Sequence, residues 1–120
     1  MAQNIPPELD SDIRKLYNLK RQHEAFTNMV ETYTERVKQL NETLENLRKQ
    51  PDDTITYKAV GQVMFRVDKI AMVDELETEV KGLDKSMAQA KKKLATLTPE
   101  VTELENSIQL ELSKRNLRLQ

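Results

Sequence analysis

Apolar residues recur at alternating spacings of three and four through Leu16, Leu19, His23, Phe26, Val30, Tyr33, Val37, Leu40, Leu44 and Leu47. This is the a/d stripe of a heptad repeat, and His23 is its only strongly polar member. Leu9 and Ile13 continue the stripe upstream with a phase slip, which locally alters supercoiling. Pro6 and Pro7 suit a helix start, and Glu8, Asp10 and Asp12 complement the positive end of the helix dipole. A second stripe runs through Val73, Leu76, Val80, Leu83, Met87, Ala90, Leu94, Leu97, Val101, Leu104 and Ile108. Gln50-Pro51-Asp52-Asp53 ends the first helix, and Asp68 can cap the second. Lys114, Arg115 and Arg118 suit its C-terminal turns, and Glu45–Lys49 and Glu77–Lys81 are spaced as i,i+4 ion pairs. The pattern predicts helices over residues 8–49 and 68–115 within one domain spanning 1–120.

The two stripes match in length. Folding the chain back between them pairs Leu47 with Val73 and Leu16 with Leu104, giving an intramolecular antiparallel coiled coil. About 35 paired residues make an arm of roughly 50 Å at the α-helical rise, with both termini at its tip. Pro99 lies inside the second stripe, where a proline removes a backbone donor and crowds the preceding turn. Because the heptad phase survives it, a kink is expected rather than a stop, with Thr98 re-capping the segment beyond. His23 falls opposite this point, so the arm is expected to be weakest there.

Between the helices the period changes to two. Ile55, Tyr57 and Ala59 alternate with Thr56, Lys58 and Val60; after Gly61, Val63, Phe65 and Val67 alternate with Gln62, Met64 and Arg66. This predicts a β-hairpin over residues 54–67. Pairing Ala59 with Val63, Tyr57 with Phe65 and Ile55 with Val67 collects six apolar groups on one face. It leaves Val60-Gly61-Gln62 as the loop and turns Met64 away from that face, where it can pack between strands or layers of an oligomer. A lone hairpin is marginal in water, and both of its edges are open. Two resolutions remain: hairpins of several chains join into a shared sheet or barrel, or the hairpin folds back as a cap over the helix ends of a monomer.

Composition fits long helices that bury a narrow stripe: 38% hydrophobic, 32% charged and 4% aromatic, with two glycines and no tryptophan among 120 residues. A net charge of -1 offers nothing to neutralise phosphates, which argues against nucleic acid. Without cysteine there is no disulfide framework and no thiolate metal site. The N-terminus lacks the basic and apolar regions of a signal peptide, and no apolar run is long enough to span a membrane. No metal-spaced His/Asp/Glu cluster, glycine-rich phosphate loop or nucleophile–base arrangement is visible, so no cofactor and no enzymatic activity are expected. Lys91-Lys92-Lys93 reads as a solvated helix face, and His23 as a register-setting seam residue.

Tyr57-Lys58-Ala59-Val60-Gly61, then Val63-x-Phe65-x-Val67-Asp68-Lys69, then Glu75-Leu76, all between two heptad arms, resembles the β class of the prefoldin family, of the archaeal type. The hairpin is the diagnostic part; one hairpin rather than two points to the β over the α class. The resemblance covers essentially the whole chain, and Pro99 and His23 are its least expected residues. It implies a cytoplasmic hexamer of two α and four β subunits on a double β-barrel platform built from the hairpins, including Ile55, Tyr57, Ala59, Gly61, Val63, Met64, Phe65 and Val67. It further implies ATP-independent binding of unfolded client proteins at the arm tips and delivery to a group II chaperonin.

Apolar residues crowd both chain ends: Ile5, Leu9, Ile13, Leu16 and Tyr17 on one side, Leu110, Leu112, Leu117 and Leu119 on the other. If the helices splay there, not all of these can be buried by one partner. Partly exposed groups on a mobile tip can each grip an unfolded chain weakly, and several arms multiply the effect. The plainer reading is that Leu16, Leu19 and Ile108 are ordinary seam residues and the last leucines a frayed tail. A second function class also stands: a coiled-coil scaffold or filament-forming protein joined through its hairpins.

Overall fold

A computed structural model describes residues 5–115. Two helices, α1 (Pro7–Arg48) and α2 (Lys69–Lys114), flank an antiparallel hairpin of β1 (Ile55–Val60) and β2 (Val63–Asp68). The fold is mainly α, with the strands where the period-two pattern predicts them. By their contacts the described residues form two units: Val30–Gln89, which contains the hairpin, and the segments up to Met29 and from Ala90 onward.

Pro7 opens α1 with Glu8 and Asp10 in the first turn, and Arg48 closes it at the negative end of the dipole. Beyond it the chain turns tightly: the Gln50 amide donates to the Leu47 carbonyl at 3.0 Å and the Thr54 amide to the Pro51 carbonyl at 3.0 Å.

Within Val30–Gln89 the predicted seam is the packed seam. Leu40 and Leu44 are buried, and Val30, Tyr33, Val37, Leu47, Val73, Leu76, Val80, Leu83 and Met87 are half-buried. Met72, beside the predicted stripe, is buried as well. Arg36 Nη2 meets Glu79 Oε1 at 2.9 Å and Arg48 Nη2 meets Glu77 Oε1 at 2.7 Å, both between the antiparallel helices. Glu45–Lys49 forms as expected at 3.5 Å. Glu77, expected to pair with Lys81, turns to Arg48 instead, whose guanidinium reaches it from the facing helix. Such exposed pairs are worth little stability but favour one register.

In the other unit Leu9, Ile13, Ile108 and Leu112 form a buried cluster, with Leu16 and Leu104 packed against it. Leu16 and Leu104, expected to face each other, both lie against this cluster. Nearby, Lys20 Nζ lies 3.7 Å from Glu105 Oε1. Helix α2 runs through Pro99 without stopping. Thr98 does not re-cap the helix as expected. Its hydroxyl donates back to the Leu94 carbonyl at 2.8 Å, which is helix-interior behaviour. Because that hydroxyl proton is committed, Thr98 Oγ1 accepts from the half-buried His23, whose Nε2 lies 3.1 Å away. Proline at 99 still leaves the Ala95 carbonyl without its N–H partner. Pro99→Ala is therefore expected to stabilise this unit by about 1–3 kcal/mol. It should also slow amide exchange around Thr98, which hydrogen-exchange mass spectrometry would read directly.

Candidate functional site

The hairpin differs from the predicted register by one residue. The observed partners are Ile55↔Asp68, Thr56↔Val67, Tyr57↔Arg66, Lys58↔Phe65, Ala59↔Met64 and Val60↔Val63. The loop is therefore two residues, Gly61-Gln62, rather than three. Two-residue loops twist in the same sense as the strands they join but need a positive φ at the first position, and Gly61 supplies it at 60°. A Cβ at Gly61 would meet no neighbour, so the demand for glycine there is conformational and not steric.

This shift changes what the hairpin offers. Residues opposite each other share a face. One face carries Ile55, Tyr57, Ala59 and Met64, with Arg66 and Asp68; the other carries Val60, Val63, Phe65 and Val67, with Thr56 and Lys58. Met64 thus joins Ile55 and Tyr57, not a polar back. Lys58 forms an ion pair with Glu75, so the second face is the one turned toward α2. Only Thr56 and Val67 are half-buried there. The rest of both faces is open: Tyr57 is 56% exposed on the first, and Val63 54% and Phe65 52% on the second. At the hairpin and its root, Val60 and Ile70 are exposed apolar residues as well. Val60 falls in the expected three-residue loop, and the two-residue turn returns it to the strand opposite Val63. Ile70, in the first turn of α2, follows a charged pair and carries no periodic signal.

At the other candidate site the predicted residues separate into two sets. Ile5, Tyr17 and Leu110 are exposed. Leu9, Ile13 and Leu112 are not available to a client, because they are the buried cluster itself, and Leu16 is half-buried against it. The expectation of partial exposure through splaying thus fails for Leu112. It lies one i,i+4 step beyond Ile108 and extends the seam, closing on Leu9 and Ile13. Leu117 and Leu119 lie outside the described residues. A shallow depression lined by Lys15, Leu19, Glu100, Glu103, Leu104 and Ser107 adds mixed charge beside this cluster. Lys91, Lys92 and Lys93 are exposed. Among the described residues, no group of His, Asp and Glu is placed to hold a metal ion, and no helix is long and apolar enough to cross a membrane.

A family model described as prefoldin subunit matches residues 11–115, which include both helical seams and the whole hairpin. The chain belongs to the prefoldin family. Prefoldin subunits are chaperone components, and this chain is one of them by descent and by fold. Its relatives include the prefoldin subunit beta of Methanothrix thermoacetophila, 25% identical over 95% of each chain. That of Thermococcus gammatolerans is 27% identical over 92% of this chain and 94% of the relative. That of Sulfolobus acidocaldarius is 30% identical over 66% of this chain and 63% of the relative. The crystal structure of the prefoldin beta subunit from Thermococcus strain KS-1 superposes with a TM-score of 0.78, at 23% identity, over 92% of this chain and 97% of that one. The match supports the two-helix, one-hairpin fold of this prefoldin chain.

Proposed function

We propose that this chain is the β-class subunit of a cytoplasmic prefoldin hexamer, four copies with two α-class chains, acting as one functional domain. The hexamer binds unfolded proteins at its arm tips without ATP and passes them to a group II chaperonin. The observation that carries assembly is the hairpin: apolar side chains stand open on both of its faces, while the helical seams are already filled. A barrel built from several hairpins covers one face on the inside, and a second layer covers the other. Capture rests on Ile5, Tyr17 and Leu110, apolar groups left exposed where the helix ends meet the terminal cluster. Each contact with a client is weak, and several arms around one client raise the effective concentration of sites.

Changing Ile5, Tyr17 and Leu110 together to serine tests the capture reading. All three are exposed, so folding and assembly should be unaffected. Suppression of aggregation of a chemically denatured client is expected to fall at least severalfold. Undiminished suppression would remove these residues from the client site. The scaffold reading draws on one observation, the two unpaired hairpin edges, which permit open-ended joining. Native mass separates the readings: a closed six-chain species supports the chaperone, and an open series of masses supports the scaffold.

A further inference from the structure

Lys69 is the one buried charged residue among those described, 6% exposed. Its position breaks a local rule. It is the first residue of α2, where the helix dipole disfavours a cation, and no acidic side chain in that first turn offsets it. Its partners explain the placement. Lys69 Nζ donates to the Gln50 carbonyl at 2.5 Å and to Asp52 Oδ1 at 3.2 Å. Gln50 lies just past the C-terminal end of α1, where carbonyls lack helical partners and a cation is favoured. One ammonium therefore ties the end of α1 and the turn before β1 to the residue directly after β2. It closes the root of the hairpin, joining the two points at which the hairpin leaves the helices. The Lys58–Glu75 pair touches the same hairpin further along, but the lysine there is exposed, whereas Lys69 is buried against an exposed Asp52.

We infer that Lys69 is a positioning residue for assembly: it holds the hairpin at a fixed attitude to the helix ends before any partner arrives. The inference rests on the reading of the hairpin as the oligomerisation element. A two-stranded hairpin alone is marginal. A root left loose would have to be ordered during association, and that ordering would be subtracted from the affinity. With the root closed in advance, the apolar faces meet a partner already oriented. An ammonium is suited to the task because its several N–H donors can serve a backbone carbonyl and a carboxylate at once.

The test compares Lys69→Met, which keeps the length and loses the charge, with Lys69→Arg, which keeps the charge. Both are made in the full chain and mixed with an α-class prefoldin chain. Two quantities are read: assembly by sedimentation velocity, and amide exchange of the hairpin against that of the two helices. For Lys69→Met the expected result is at least tenfold faster exchange in the strands, unchanged protection in the helices and at least tenfold weaker assembly. Lys69→Arg should restore both substantially. Unchanged assembly and unchanged strand exchange in Lys69→Met would overturn the inference. So would uniform loss of protection through helices and strands, which would make Lys69 a general structural residue. A parallel Val63→Asp variant keeps the two readings apart. If that variant also assembles normally, the hairpin is not the oligomerisation element. If it fails to assemble while Lys69→Met assembles normally, the positioning inference alone falls.

Discussion

Changing Val63 and Phe65 to aspartate is expected to abolish assembly while leaving the chain folded. Both residues stand on the face shared with Val60, and each is more than half exposed in the isolated chain. Neither is part of a helical seam, so the loss of apolar contact within the chain is small. Covering the exposed half of each side chain on association contributes roughly 1 kcal/mol apiece. An unpaired carboxylate taken into the same interface costs several kcal/mol more. Since each 1.4 kcal/mol is about tenfold in affinity, the expected weakening exceeds a hundredfold for each hairpin contact. Val67 is a poorer target, because its side chain is already half-buried within the chain. Sedimentation velocity should show smaller species with unchanged helical circular dichroism. An assembly of unaltered mass would end the barrel reading.

The second large effect is expected in the buried cluster of the other unit. Ile108 is 1% exposed and packs with Leu9, Ile13 and Leu112. Ile108→Ala removes most of a fully buried side chain, which costs about 2–5 kcal/mol depending on how far the neighbours relax into the space. The cluster is small and lies near the chain ends, so collapse around the cavity cannot recruit a larger core. Hydrogen exchange should therefore accelerate in the turns around Leu9, Ile13 and Ile108 and leave the hairpin's protection intact. Equal acceleration everywhere would instead mark the chain as a single cooperative unit. The contrast with Tyr17→Ser is informative, since that exposed residue should alter client capture and not stability.

Much of this architecture is legible in the sequence because a heptad stripe is a local signal. Leu16 to Leu47 and Val73 to Ile108 declare their buried side through spacing alone, and the structure packs the residues so marked. The hairpin's existence is equally plain, and its register is not. Both strands alternate, so shifting the pairing by one position changes which residues share a face without breaking either alternation. Assuming a single apolar face selected the wrong register. Turn chemistry at Gly61 selects the right one and places apolar groups on both faces. Leu112 is hidden for a related reason: spacing alone does not distinguish a frayed helix end from one whose next turn finds partners in Leu9 and Ile13. Lys69 was unreadable, since a lysine beside an aspartate at a helix start looks like any surface charge until its carbonyl acceptor is located.

The two-residue turn at Gly61-Gln62 also sets an order of events. Val60 and Val63, its flanking pair, are near neighbours in sequence, whereas the terminal cluster joins Leu9 to Leu112. Hairpins close in about 1–10 μs, and the entropic cost of closing a loop rises with its length. Once the hairpin and its root have formed, the helical turns beside them within Val30–Gln89 need to close only short additional gaps. The chain is thus expected to complete its assembly surface early in folding and its terminal cluster last. On unfolding the sequence reverses, so the segment carrying Ile5, Tyr17 and Leu110 is the first to open while the hairpin remains closed.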